Sequence, residues 1–149
     1  MTTNKPMDFS EDGAVEQPTI KLFGELGWQT MNCYNEFASG KSTLGRESKT
    51  EVVLVERLRA AIIKLNPKLP AEAVNLAIEE ITRDRSAMNV TQANRQVYYL
   101  LKDGVKVSYR DSKNTQQEII EIVQIIDWKT PENNNFFLAS QFWVVGDMY

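Results

Sequence analysis

The sequence predicts a single α+β domain of 149 residues, in which helices are grouped apart from strands. Three stretches with helical spacing of apolar residues follow one another between about residues 50 and 103. The segments on either side alternate or are rich in Ile and Val, which is typical of strands. Hydrophobic residues make up 42% of the chain and charged residues 25%, so there is enough apolar material for a core.

The first expected element is a helix over about residues 13–26. Asp12 is placed to cap its start, Pro18 falls near the first turn, and Gly27 ends it. One apolar stripe is expected to face the core, formed by Val15, Ile20, Leu22, Phe23 and Leu26. A strand over residues 28–33 follows, because apolar and polar residues alternate loosely there.

Residues 35–49 are small and polar with two glycines, which predicts a loop. A long helix follows, with Thr50 placed as its cap and Asn66-Pro67 as its end. Its expected inward positions are Leu54, Val55, Leu58, Ala61, Ile62 and Leu65.

Two more helices complete the helical block, one over about residues 70–83 and one over about 91–102, which Gly104 stops. Their expected inward positions are Val74, Ala77, Ile78, Ile81, Val97, Leu100 and Leu101. The remaining elements are strands over residues 105–110, 118–128 and 137–145, with a turn at 130–135. For residues 118–128 a helix is the alternative.

Composition excludes several kinds of site. Cys33 is the single cysteine, so no disulfide forms within the chain and a cytoplasmic location is expected. The absence of histidine excludes His-based triads and His-ligated metals, and it leaves Cys33 without the usual base. Any metal would be a hard ion such as Mg²⁺, held by carboxylates. No apolar run is long enough to span a membrane.

Gly40-Lys41-Ser42-Thr43 resembles the end of a phosphate-binding loop. Such a loop needs a glycine where this chain has Asn35, and it should lead directly into a helix. We therefore favour a polar loop over an ATP site at Lys41. The surrounding residues 38–70 carry seven Lys or Arg against three Glu, which fits an ordinary mixed surface better than a dedicated nucleic-acid face.

Asp127-Trp128-Lys129 has the acid-x-Lys spacing of metal-dependent nucleases, with Asp111 as a candidate second acid. This pattern is common by chance, and Thr130-Pro131 ends the strand at once, so a structural role is favoured. Glu16 on the first helix is a candidate accessory carboxylate, although a Glu near a helix start also simply favours the helix dipole.

Taken together, several segments in order resemble the amino-terminal region of type I restriction enzyme R subunits. They are Leu44-Gly45-Arg46-Glu47-Ser48, Glu51-Val52-Val53-Leu54, Leu58, Leu65-Asn66-Pro67-Lys68-Leu69-Pro70, Asn94, Leu100-Leu101, Asp103-Gly104-Val105, Asp127-Trp128, Pro131, Asn134, Phe136 and Gln141-Phe142.

The resemblance implies a partial restriction-endonuclease-like nuclease domain with a mixed sheet and a three-helix insertion at about residues 50–103. It maps the family's helix glutamate onto Glu16 and makes both residues 39–48 and Asp127 structural. The intact subunit is then expected to cut double-stranded DNA with Mg²⁺, to translocate on DNA with ATP, and to act with methylation and specificity subunits.

The same resemblance puts the main catalytic acids and lysine after Tyr149. Residues 1–12 are expected to be loosely ordered and residues 13–149 to be the first part of the nuclease domain. On this interpretation the fragment alone neither cuts DNA nor binds Mg²⁺ or ATP. The alternative from another class is a non-enzymatic module whose helical block docks partner subunits.

Overall fold

The structure is a computed structural model that describes residues 10–110 and 117–146. It divides into two compact units, one formed by Met1–Thr50 with Asn135–Tyr149 and the other by Glu51–Asn134. Helices and strands are both present, so the predicted α+β class is confirmed. Of residues 1–12, expected to be loosely ordered, residues 1–9 lie outside the described residues, whereas Glu11 and Asp12 are helical. Asp111, the candidate second acid, also lies outside the described residues.

The first unit begins with a π-helical turn, Asp12–Glu16, that runs directly into helix α1, Gln17–Glu25. The Gln17 N–H bonds back to the Asp12 carbonyl, immediately before Pro18, which has no N–H to continue an α-helical ladder. The predicted cap at Asp12 is wrong. The Ser10 hydroxyl accepts the Gly13 N–H at 3.1 Å instead, while Asp12 Oδ1 accepts from the Gln17 side chain at 3.0 Å.

The predicted helix end at Gly27 is confirmed, with φ of 85° at that glycine. The Trp28 N–H bonds the Phe23 carbonyl and the Gly27 N–H bonds the Gly24 carbonyl, each at 3.0 Å, which is the Schellman pattern. The rings of Phe23 and Trp28 meet edge to face with centroids 4.6 Å apart. This apolar contact fixes the direction in which the chain leaves the helix.

The predicted apolar stripe is only partly inward. Ile20 and Phe23 are half-buried, whereas the side chains of Val15, Leu22 and Leu26 are more than half exposed. Within the described part of the chain, helix α1 packs mainly on two strands. Neighbouring strands lie about 5 Å apart, so two of them are too narrow to cover the whole stripe.

Strands β1, Gln29–Asn32, and β4, Phe137–Ser140, pair in parallel, with Gln29 opposite Phe137 and Asn32 opposite Ser140. Both strands were predicted, but the second ends at Ser140 and not near Val145. The strand stops there because Gln141 has φ of 53°, and a left-handed residue breaks an extended strand.

The second unit contains the three predicted helices: α2, Val55–Leu65, α3, Ala71–Thr82, and α4, Val90–Asp103. Thr50 does not cap α2, which starts after Leu54. The Thr50 N–H bonds the Ser48 hydroxyl at 3.3 Å, and this local turn occupies it before the helix begins. In the part of the chain that is described, no helix has both the length and the apolar character needed to cross a membrane.

Strands β2, Val105–Arg110, and β3, Glu118–Val123, form an antiparallel pair in the same unit, with Val105 opposite Val123. Helix α3 contacts both strands and α2. The core lies between them and consists of Ile62, Ala73, Val74, Ala77, Ile78, Val105, Val107, Val123 and Ile125. Predicted inward positions of the first two helices and of β2 thus form one cluster.

The expected strand over 118–128 stops at Val123 because Asn66 takes over its hydrogen bonding. The Asn66 side chain accepts the Gln124 N–H at 2.9 Å and donates to the Gln124 and Ile62 carbonyls, each at 2.8 Å. One amide therefore joins the end of α2 to the end of β3 across 58 positions of sequence.

The core predicts a sharp difference between two neighbouring residues of α2. Ile62 is fully buried and Ile63 is 52% exposed. We expect Ile62→Ala to lower the free energy of unfolding by about 2–5 kcal/mol, since it removes buried methyl groups and leaves a cavity, and Ile63→Ala to change it by about 0.5 kcal/mol or less. Urea denaturation measures both, and equal losses would contradict this packing.

Candidate functional site

Glu16, the predicted accessory carboxylate, lies at the end of the π-helical turn and is half-buried. Its Oε2 accepts a hydrogen bond of 2.7 Å from the Gln141 side-chain amide, 125 residues further along the chain. The contact brings the helix carboxylate to the carboxyl end of β4. The sequence singled out Gln141 only for the family resemblance, since no local pattern links it to Glu16.

A buried ion pair between Glu36 and Arg46 lies in the same unit. Their side chains are 3% and 1% exposed, and Arg46 Nε donates to Glu36 Oε1 at 2.8 Å while Nη2 donates to Oε2. The Ser42 hydroxyl also donates to Oε1. Sequence reasoning missed this pair, because nothing in a polar loop shows that one Glu and one Arg will be taken out of water together.

Arg46 also holds the segment that follows β4. Its Nη1 and Nη2 both donate to the Trp143 carbonyl oxygen at 3.2 Å, and its guanidinium carbon lies 3.9 Å from the centroid of the Phe142 ring. A cation over an aromatic face is favourable when both are shielded from water. The ion pair therefore fixes the backbone just beyond Gln141. Because its guanidinium makes these contacts, Arg46 is not a candidate for binding a ligand.

The electrostatics of the pair favour the charged carboxylate. The hydrogen bond from Arg46 is the main cause that holds the pKa of Glu36 below its ordinary range, helped by the Ser42 hydroxyl and the charges of Arg46 and Lys49 and opposed by burial. Cys33 nearby is 2% exposed, and burial followed by the Glu36 charge raises the pKa of its thiol. Cys33 is thus a neutral core residue at physiological pH.

The stretch that resembled a phosphate-binding loop, Gly40-Lys41-Ser42-Thr43, supports the buried ion pair through Ser42. Ser42 bonds Glu36, and the Leu44 N–H bonds the Ser42 hydroxyl at 3.0 Å. Lys41 is exposed, and the next helix starts only at Val55. The helix N-terminus on which a phosphate would rest does not follow this loop.

Asp127 is engaged in a turn. Its Oδ1 accepts the N–H groups of Lys129 at 3.0 Å and Thr130 at 2.9 Å, and its Oδ2 accepts the Asn133 side chain at 2.8 Å. A 3₁₀ helix, Pro131–Asn133, follows. The bond from Asn133, then that from Thr130, lowers the pKa of Asp127. This carboxylate organises the turn.

Glu16 is the candidate ligand for Mg²⁺ in this chain. Carboxylate oxygens are suitable ligands, and one or two of them commonly suffice alongside waters and phosphates. Glu16 therefore fits as a single ligand. Within residues 10–110 and 117–146, however, no group of three or more His, Cys, Asp or Glu side chains is placed to hold a metal, so these residues do not make a complete site.

Comparison with known proteins agrees with the sequence resemblance. Residues 8–149 match the family model described as type I restriction enzyme R protein N terminus. The chain is 35% identical over 133 residues to the type I restriction enzyme HindI endonuclease subunit of Haemophilus influenzae, covering 85% of this chain and 12% of that protein.

A second relative is the type I restriction enzyme MjaIXP endonuclease subunit of Methanocaldococcus jannaschii, 27% identical over 142 residues, which are 91% of this chain and 12% of that protein. The chain thus spans about 12% of the length of the curated relatives it matches. No solved structure matches it.

The buried pair predicts the acid sensitivity of the first unit. Because the folded-state pKa of Glu36 lies below its unfolded value of about 4.3, the stability it contributes is present above that pH and is lost as the pH falls toward the folded pKa. We expect Glu36→Gln to lower the free energy of unfolding at pH 7, by up to about 3–5 kcal/mol, because Arg46 loses its buried counter-charge.

Urea denaturation between pH 7 and pH 3 checks this, with Glu25→Gln as control. Glu25 pairs with Lys21 at 3.8 Å, but these side chains are 63% and 80% exposed, so we expect little effect. The variant at position 36 should also lose less stability on acidification than the parent chain. If the two substitutions behave alike, the pair does not stabilise the unit.

Proposed function

The chain belongs to the family of type I restriction enzyme R protein N-terminal regions, and on that premise we propose that it is part of a restriction subunit that cuts double-stranded DNA with Mg²⁺. In the intact subunit this cleavage is coupled to ATP-driven translocation along DNA. The subunit acts in the cytoplasm with methylation and specificity subunits, away from membranes. These activities belong to the intact protein, and the present residues alone neither cut DNA nor hydrolyse ATP.

The hydrogen bond between Glu16 and Gln141 is the observation that carries this proposal. It puts a helix carboxylate, the family's expected accessory acid, at the end of a parallel strand. Ligands of open α/β sheets generally bind beyond the carboxyl ends of parallel strands. Glu16 then supplies one carboxylate to a nuclease site whose other acids and lysine come from later in the subunit.

The exposure of the β1–β4 pair supports a larger sheet in the intact subunit. All residues of β1 are exposed and all of β4 are only half-buried. Parallel strands occur almost only in sheets covered on both faces, and two strands alone are marginally stable. We infer that these strands are part of the mixed sheet of a restriction-endonuclease-like domain.

Mg²⁺, when bound, supplies the positive charge that polarises a scissile phosphate and activates water. The contribution of this chain is the position of Glu16. The helix fixes its backbone and Gln141 fixes one of its oxygens. Among the described residues, no group donates a hydrogen bond to Glu16 Oε1, so this oxygen remains available to a ligand.

Glu16→Ala in the intact subunit should lower the rate of plasmid cleavage by about tenfold to a hundredfold, as is typical when a carboxylate or its support is removed from a metal site. ATP hydrolysis stimulated by DNA should be unchanged, because the motor lies elsewhere in the subunit. The matched control is Glu25→Ala on the same helical segment, which should cleave normally. Full cleavage by the Glu16 variant would refute this role.

Asp127→Ala should lower stability and leave cleavage unchanged. We expect normal plasmid cleavage by the intact subunit, together with a lower melting temperature of the 149-residue chain, because three donors lose their acceptor. Lys129→Ala removes the side chain but keeps the bonded N–H, and it should affect neither. Loss of cleavage at an unchanged melting temperature would restore Asp127 and Lys129 as a catalytic pair.

A docking role for the second unit is a second candidate function. It is favoured by a groove of about 530 Å³ in which Trp128 and Ile122 are 61% and 65% exposed. Exposed large apolar side chains in a concave surface are typical of interfaces. Ile122→Ser in the intact subunit should then weaken binding to the methylation and specificity subunits in calorimetry, while unchanged affinity would exclude this surface.

A further inference from the structure

Gln141 combines an uncommon backbone with a long-range contact. With φ of 53°, it is the one residue other than glycine with positive φ within the described residues 10–110 and 117–146. L side chains other than Asn and Asp rarely adopt this region, because the Cβ approaches backbone oxygen. Such strain persists only where the surroundings hold it, and it is concentrated at functional sites.

The surroundings hold Gln141 from both sides. Before it, the Ser140 carbonyl accepts the Cys33 N–H at 2.8 Å. After it, the Trp143 carbonyl accepts two bonds from Arg46, and Phe142 lies under the same guanidinium. Because the neighbours are fixed, the chain must turn within this one residue.

The turn has a consequence for the side chain. At Gln141 the backbone turns away from the direction of β4. The side-chain amide of Gln141 then donates a hydrogen bond of 2.7 Å to Glu16 Oε2. Gln141 is exposed, and a single hydrogen bond at the surface contributes little to stability. The stabilisation from this hydrogen bond is therefore too small to explain why the strained backbone is kept. A role in orienting the Glu16 carboxylate explains it.

A second polar side chain, that of Ser140, lies at the same end of β4. The Ser140 hydroxyl is buried, and no hydrogen-bond partner for it exists among the described residues. An unsatisfied buried polar atom in a native fold calls for an explanation, and an ordered water or ion is the usual one. The end of β4 thus carries two features expected of a ligand-facing position.

We propose that Gln141 is a positioning residue: its left-handed backbone directs the side-chain amide onto Glu16 and holds that carboxylate at the end of β4. This inference rests on the proposed role of Glu16 in nuclease function. It adds that cleavage depends on residue 141 having both the left-handed conformation and an amide of sufficient length.

Three substitutions separate these requirements. Gln141→Gly relieves the backbone strain and deletes the amide. Gln141→Asn keeps an amide and tolerates the left-handed region, but is one methylene shorter. Gln141→Glu retains the length and sets a second carboxylate against Glu16.

In the intact subunit, we expect Gln141→Gly to lower plasmid cleavage about tenfold, Gln141→Glu to lower it further, and Gln141→Asn to retain part of the rate. ATP hydrolysis stimulated by DNA should not change. In the 149-residue chain, Gln141→Gly should melt at the same temperature as the parent chain or higher, because relief of the strain offsets the loss of one surface hydrogen bond. A structural residue would instead lose stability and activity together.

A readout without catalysis completes the test. In the chain labelled with ¹⁵N at glutamine, the side-chain amide signals of Gln141 should shift when Glu16 is replaced by Ala. Normal cleavage by Gln141→Gly, parallel loss of melting temperature and activity, or unshifted amide signals would each overturn the inference. Normal cleavage by Glu16→Ala would overturn the proposed role of Glu16 itself, so the two failures are distinguishable.

Discussion

The buried pair of Glu36 and Arg46 is the constraint on which the first unit depends. Taking both charges out of water costs several kcal/mol per ion, and this cost is offset only by good geometry and by partners for the remaining donors and acceptors. Here Ser42 and the Trp143 carbonyl are those partners. The loop after β1 and the segment after β4 are consequently fixed to one another. This arrangement determines the backbone conformation around Gln141. Gln141 in turn positions Glu16 through the hydrogen bond between their side chains.

The second unit is organised by different physics. Its core is apolar, and its helices and hairpin meet because their buried positions recur at the spacing of each element. Asn66 supplies the polar complement, since its single amide satisfies backbone groups at the ends of α2 and β3. The unit has its own core and inserts in sequence between the two strands of the parallel pair. The chain can therefore carry this inserted unit without interrupting the pairing of β1 with β4.

In the structure, the two motifs most suggestive of chemistry make hydrogen bonds within their own units. Ser42 of the Gly-Lys-Ser-Thr stretch bonds Glu36, and Asp127 of the acid-x-Lys stretch closes a turn. In both cases the side chain already bonds donors or acceptors of its own unit. Glu16 differs, because within the described residues only one of its two carboxylate oxygens accepts a hydrogen bond. The number of hydrogen bonds that each carboxylate accepts therefore distinguishes Asp127 from Glu16.

Local sequence patterns placed most of the helices and strands and indicated the family. Helical spacing located α2, α3 and α4, Gly27 and Gly104 ended helices because their positive φ suits glycine, and alternation predicted β2. The order of modest segments indicated the restriction family. Tertiary structure alone decided the Glu36–Arg46 pair, the early end of β4 and the contact of Glu16 with Gln141. Local patterns arise from neighbours within a turn or a strand, whereas these contacts join residues up to 125 positions apart and exist only once the chain has folded.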